Sequence, residues 1–239
     1  MAHLEQVLVP VAEGRTMRAV FAVPEVPVHR GPAVIAIHDI MGFTPDIRRI
    51  AGRLADAGYM ALAPDLYDAE GSKVMCVMRT LRALRSGEGP AFTQLEAARS
   101  WLSEHQAVDS ERIGVMGFCM GGGFALMFAE RAPLAVAAPF YGDVPRTADG
   151  LRNICPVVAG YGERDKMFVE QGRRLVSHLG ELGVANDIEF YPGVGHSFMN
   201  DHKGVFAKLG RFTPMRAGYD EAAAEDSWSR VFAFFSKHL

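Results

Sequence analysis

Only three cysteines, Cys76, Cys119 and Cys155, occur in the 239 residues, and no two form a CxxC pair. Three are too few for the framework of a small disulfide-built secreted domain, so a reducing cytoplasm is the expected compartment. Charge of one sign is also missing: 25 basic and 28 acidic residues leave a net charge of −3, with no long Lys/Arg block. Without a basic stripe, neither nucleic acid nor an anionic membrane is expected as a partner. Long apolar runs are absent too. The longest, residues 132–141, is broken by Pro133 and Pro139 and falls well short of the roughly 20 residues that a bilayer span requires. The first twenty residues carry Glu5, Glu13, Arg15 and Arg18 where a signal peptide would have a continuous apolar stretch, so none is expected. Neither HExxH nor paired Cys/His spacing appears, and the trio His196, Asp201 and His202 has no recognisable ligand pattern, so no metal is expected.

What is present is an ordinary globular composition, 49% hydrophobic, in a chain long enough to bury about 70–75% of its unfolded surface as one domain. No repeat, low-complexity tract or linker divides residues 1–239, and the proline-rich stretch from Pro24 to Pro32 is too short to separate two cores. Alternating runs at Gln6–Val11 and Met17–Val23, either side of a Gly-containing turn, predict an opening antiparallel hairpin. Ala33–Ile37 lacks polar alternation, as a strand covered on both faces does. Thr44-Pro45-Asp46 predicts a helix start, with a hydroxyl N-cap, Pro at N1 and an acid in the first turn, and Gly58 ends the helix. Further strands are expected at Tyr59–Ala63, Arg112–Met116, Leu134–Ala138, Pro156–Gly160 and Ile188–Tyr191. Helices are expected at Gln94–His105, through Arg131, at Phe168–Leu182 and at Tyr219–His238. This alternation predicts an α/β fold: a mostly parallel sheet with helices on both faces and its site at the strand carboxyl ends.

Gly117-Phe118-Cys119-Met120-Gly121 has the spacing of a nucleophile elbow with Cys in place of Ser. The sharp strand-to-helix turn demands glycines where backbones approach closely. It also sets the sulfur at a helix N-terminus, where free N–H groups stabilise negative charge and the Met120 N–H can face an oxyanion. As a dinucleotide loop the segment fails, because the middle glycine of G-x-G-x-x-G would be Cys119 and the first strand lies far away. A glycine-rich helix start holding a buried cysteine is the structural alternative. Among eight histidines, His196 in Gly195-His196-Ser197-Phe198 follows the last strand and is the best-placed base. His38 and His202 are weaker candidates, His178 falls in a helix, and His3, His29, His105 and His238 read as solvated. Asp165, just past another strand, would orient the imidazole, with Glu163 as fallback. The order Cys119, Asp165, His196 is that of α/β-hydrolases. A second oxyanion N–H is expected from His38-Asp39-Ile40-Met41-Gly42, with Ile40 the choice, although any helix entry needs such a turn.

The phrases His38–Gly42, Arg53-Leu54-Ala55-Asp56-Ala57-Gly58-Tyr59, Ala63-Pro64-Asp65-Leu66-Tyr67, Gly117–Gly122 and Gly195–Phe198 together resemble the dienelactone hydrolase (carboxymethylenebutenolidase) family over almost the whole chain. The resemblance implies an α/β-hydrolase fold. It also implies a cysteine-dependent enzyme that opens small lactones or carboxylic esters through a thioester, without a cofactor, as a monomer or small homo-oligomer. By motif, Cys119 is then nucleophile, His196 base, Asp165 orienter, and Ile40 and Met120 oxyanion donors. Asp39 stands where family members have a Glu that holds, and then deprotonates, the resting thiol. Asn200 stands where they have an Arg for a substrate carboxylate.

Phe43, Tyr67, Tyr141 and Phe198 lie beside strand ends or motifs and could line an apolar pocket or simply pack the core. Arg79, Arg82 and Arg85 recur at helical spacing in a segment that the family uses to cover the site. They read as a solvated face from which one, Arg79, could meet an anionic substrate. Two other functions stay open: a catalytically idle member that binds a small ligand, and a thiol redox protein using Cys119.

Overall fold

The computed structural model describes residues 2–26, 30–68, 73–204 and 209–239. Eight strands form one sheet in the order β1-β2-β4-β3-β5-β6-β7-β8. The opening hairpin is present: β1 (His3–Pro10) pairs antiparallel with β2 (Thr16–Val23), their ends closed at Pro10↔Thr16 around a short 3-10 turn. β2 in turn lies antiparallel to β4 (Met60–Pro64). Every later pairing, through β3 (Gly31–Ile37), β5 (Val108–Phe118), β6 (Val136–Phe140), β7 (Val157–Gly162) and β8 (Asn186–Tyr191), is parallel. The unalternated Ala33–Ile37 run is fully buried, as a strand with both faces covered requires.

Two helices cover one face. They are α1 (Pro45–Asp56) and α6 (Glu221–His238), joined by a bidentate Arg53–Glu225 pair at 2.6 and 2.5 Å with the Arg53 guanidinium over the Trp228 ring. The other face carries α3 (Pro90–Glu104), α4 (Met120–Arg131) and α5 (Val169–Leu182), with α2 (Lys73–Ser86) outside them. The layers enclose one continuous apolar core, so the chain is an α/β-hydrolase-like sheet with helices on both faces. Among the described residues no helix is long and apolar enough to cross a membrane.

Two local expectations need correction. Thr44 occupies the position before α1, yet its hydroxyl makes no capping hydrogen bond. Asp46 is in the first turn of α1 as expected, and its carboxylate also accepts from Arg49 and Asn200. His105 and His238 are only partly exposed: His105 packs against Phe21 and Trp101, and His238 against Phe234 at 4.4 Å. His29 lies outside the described residues.

Candidate active site

β5 ends at Phe118 and α4 begins at Met120, so Cys119 alone makes the turn. It does so at φ 55 and ψ −116, a conformation that costs a non-glycine residue about 1–3 kcal/mol. The flanking glycines make this turn possible. A Cβ on Gly117 would stand 2.0 Å from the Gly121 carbonyl oxygen, and one on Gly121 would stand 2.5 Å from the carbonyl oxygens of Ile37 and His38. Cys119 is further tied by its N–H to the Phe140 carbonyl at 3.1 Å and by its carbonyl to the Gly123 N–H at 3.2 Å. The Met120 N–H opens α4 and donates to no described residue.

Two strands away, the turn after β7 presents Asp165, whose Oδ1 accepts the N–H groups of Met167 and Phe168 at 3.1 and 3.2 Å. Its Oδ2 accepts from His196 Nδ1 at 2.5 Å, in a pair where both side chains are about 98–99% shielded from solvent. The His196 loop is held as tightly. The His196 N–H donates to Met215 O at 2.8 Å, its carbonyl accepts from Gly218 N–H at 2.9 Å, and a Cβ on Gly195 would meet Arg216 O at 1.9 Å. Phe168 and Tyr141 flank the imidazole, with ring centroids 4.6 and 5.0 Å away. With Nδ1 on Asp165, the buried Nε2 has no other partner and is the nitrogen left to serve Cys119. Burial pulls the His196 pKa down, but Cys119 and Asp165 outweigh it and lift the value to about 10. Thiol, imidazole and carboxylate therefore meet at the carboxyl ends of β5, β8 and β7. The fallback acid, Glu163, is exposed.

His38, His178 and His202 are bonded elsewhere. His38 Nε2 accepts from the Leu66 N–H at 3.2 Å, which leaves Nδ1 to donate to the Asp39 carbonyl at 2.7 Å. His178, in α5, bonds the Pro145 carbonyl. His202 Nε2 lies 2.5 Å from Asp39 Oδ2, while Asp39 Oδ1 accepts the Met41 N–H at 2.9 Å. Both Asp39 oxygens are thus bonded elsewhere than to Cys119. β3 and β5 are neighbours, with Ile37 opposite Gly117, so the loop carrying Ile40 reaches over the elbow. The Ile40 N–H donates to no described residue.

A cavity of about 670 Å³ opens over Cys119 and His196, walled by Asp39–Met41 and by segments between Ser197 and Tyr219, including His202, Lys203 and Arg211. None of Phe43, Tyr67, Arg79, Tyr141 and Phe198 lines it. Tyr141 and Phe198 are fully buried behind the imidazole, their rings 5.1 Å apart. Phe43 lies under the Arg48 guanidinium, and Tyr67 uses its hydroxyl on the Ile40 carbonyl at 3.1 Å. Arg79 sits with Met78, Leu81, Arg82 and Arg85 in a separate depression on α2. Asn200 reaches the cavity wall but turns its amide inward: Oδ1 accepts from Tyr141 O–H at 2.7 Å, and Nδ2 donates to Asp46 at 2.8 Å. This buried network pins the His196 loop to α1, and no motif in the sequence signals it. Among the described residues no group of three His, Cys, Asp or Glu side chains is placed to hold a metal ion.

Solved structures share this architecture. A dienelactone hydrolase-like promiscuous phosphotriesterase from metagenomic libraries superposes with a TM-score of 0.82 at 24% identity, over 98% of both chains. An esterase of Pyrobaculum calidifontis does so with a TM-score of 0.69 at 18% identity, over 98% of this chain and 85% of its own. At those identities the likeness concerns the fold. In sequence, a protein of Saccharolobus solfataricus provisionally named a carboxymethylenebutenolidase is 29% identical, over 95% of this chain and 96% of its own. The profile of the dienelactone hydrolase family matches residues 17–239, and the chain belongs to that family.

Proposed function

We propose that this protein hydrolyses small lactones or carboxylic esters through a thioester on Cys119. The observation that carries the reading is the buried 2.5 Å Asp165–His196 bond beside the elbow, with Nε2 left for the sulfur. The raised pKa of His196 favours an imidazolium beside a thiolate, the pair a cysteine nucleophile requires. The sulfur adds to the carbonyl carbon, and the displaced electron pair sits on oxygen between the free N–H groups of Ile40 and Met120. Collapse expels the alkoxide, which takes the His196 Nε2 proton. Neutral His196 then draws a proton from water as it attacks the thioester, and collapse of that adduct returns the acid and the thiolate.

The cavity bears on substrate choice. Lys203 is paired with Asp201 at 2.7 Å, whereas the Arg211 guanidinium has no acidic partner among the described residues. Arg211 is thus the cation available to a substrate carboxylate, with Asn200 turned away. A redox role has less support, since Cys76 is buried and burial pushes the Cys155 thiol up to about 12. The test is a panel of lactones and 4-nitrophenyl esters, neutral and carboxylate-bearing, assayed with wild type and Cys119→Ala. Turnover by wild type alone supports the proposal, and equal turnover by both removes Cys119 from it.

A further inference from the structure

The Ile40 N–H is aimed by a chain of bonds that ends outside its own loop. A trans peptide points its C=O and N–H in opposite directions. The Asp39 carbonyl is held by His38 Nδ1 at 2.7 Å and by the Gly42 N–H at 3.0 Å, so the N–H of the same peptide, that of Ile40, is turned the other way and left free. The next peptide is fixed at both ends, its carbonyl by Tyr67 O–H at 3.1 Å and its Met41 N–H by Asp39 Oδ1 at 2.9 Å. The Asp39 side chain therefore closes a small ring around Ile40. That carboxylate is itself buried, 5% exposed, and among the described residues its second oxygen is satisfied only by His202.

We propose that His202 is a positioning residue for the oxyanion hole: through Asp39 it clamps the Ile40 turn to the loop that carries His196. The proposal rests on the reading of Cys119 as nucleophile and Ile40 N–H as oxyanion donor. His202 lies six positions after His196 in sequence, so the bond to Asp39 ties the base loop to the donor loop. The charges facing His202 are Asp39 on the donor loop, Asp46 and Arg49 on α1, Asp201 and Lys203 beside it, and Arg211 with Cys119 and His196 around the cavity. Burial opposes the imidazolium, but Asp39 and Asp46 outweigh it and the His202 pKa is raised. The clamp is accordingly strongest in the charged form. It weakens, keeping only a neutral N–H donor, as pH rises through the folded-state value.

The test separates oxyanion binding from thiol reactivity. A trifluoromethyl ketone adds to Cys119 and places an oxyanion between Ile40 and Met120, whereas iodoacetamide alkylates the sulfur without one. His202→Phe is expected to weaken ketone binding and to lower kcat for 4-nitrophenyl acetate, each by about 10-fold to 100-fold. Iodoacetamide should react within about twofold of the wild-type rate, because His196 and its Asp165 bond, which set the partner of the thiol, are unchanged. His202→Gln keeps a neutral donor and should restore part of both losses. The advantage of wild type over His202→Gln in ketone binding should be largest in mildly acidic solution and shrink as pH rises. Asp39→Asn should weaken the ketone without speeding alkylation. Unchanged ketone affinity in the folded His202→Gln protein overturns the proposal. So do equal losses of ketone binding and alkylation, and so does faster alkylation of Asp39→Asn with unchanged ketone affinity, which would assign Asp39 to the thiol. If wild-type Cys119 forms no ketone adduct and Cys119→Ala still turns over, it is the thioester reading that fails.

Discussion

At the scale of single residues, Cys119 carries both the proposed chemistry and the strain. Cys119→Ala should abolish ester cleavage, and Cys119→Ser should be slow, because an alcohol needs far more help from His196 than a thiol does. Cys119→Gly should be equally inactive yet more stable than wild type by about 1 kcal/mol, since glycine adopts φ 55 without penalty. Denaturant midpoints of the three variants check this ordering. Asp165→Asn and His196→Ala should each cost several powers of ten in kcat, and the double variant little more than the worse single one, as linked residues act together. Additive losses would dissolve the triad. Glu163→Gln, at an exposed position, should change kcat little by comparison. The choice between Asp165 and Glu163 rested in the sequence on placement alone, and burial with three N–H partners now distinguishes them. The partner of Asp39 was not legible. His202 lies 163 residues away, and nothing local marks two such residues as neighbours.

At the scale of elements, strands and their ends were legible where glycine or proline marks them and where no polar alternation interrupts the run. β5, β7 and β8 stop shortly before Cys119, Asp165 and His196 respectively, which is why residues far apart in sequence became a spatial cluster. Side-chain direction was less legible. Tyr141 and Phe198 sit next to strand ends but face the core, and adjacency in sequence does not say which side of a turn a ring takes. α2 emerged only as the helical spacing of Arg79, Arg82 and Arg85, because its Val74, Met75 and Met78 are exposed and leave no clean apolar stripe. Caps show the same limit. Asp220 accepts the Ala223 N–H at 3.1 Å at the start of α6, whereas Thr44 caps nothing at α1. Asp220→Ala should cost about 1 kcal/mol in denaturant unfolding, and Thr44→Ala should cost about 0.5 kcal/mol or less. Equal costs would mean that the two helix starts are not distinguished by their caps.

At the scale of the whole molecule, the parallel order of β3 to β8 gathers residues far apart in sequence at one edge of the sheet, and the buried His196 couples that site to global stability. Its pKa is raised from 6.5 to about 10, so its stabilising contribution is fully present below pH 6.5 and is lost as pH climbs toward 10. The difference in unfolding free energy between wild type and His196→Gln should therefore shrink across that window, and a constant difference would contradict the coupling to Asp165 and Cys119. Architecture was the most legible level, since alternating strands and helices with short connections leave few ways to wind the chain. Chemistry is the level at which one measurement weighs most. Wild-type protein mixed with a 4-nitrophenyl ester, quenched in acid within the first turnover and digested, should give one acylated peptide, the one containing Cys119. That acyl group should form and disappear at rates that account for kcat. Steady turnover with no acyl group on Cys119, or with the acyl group on another residue, would contradict the thioester mechanism.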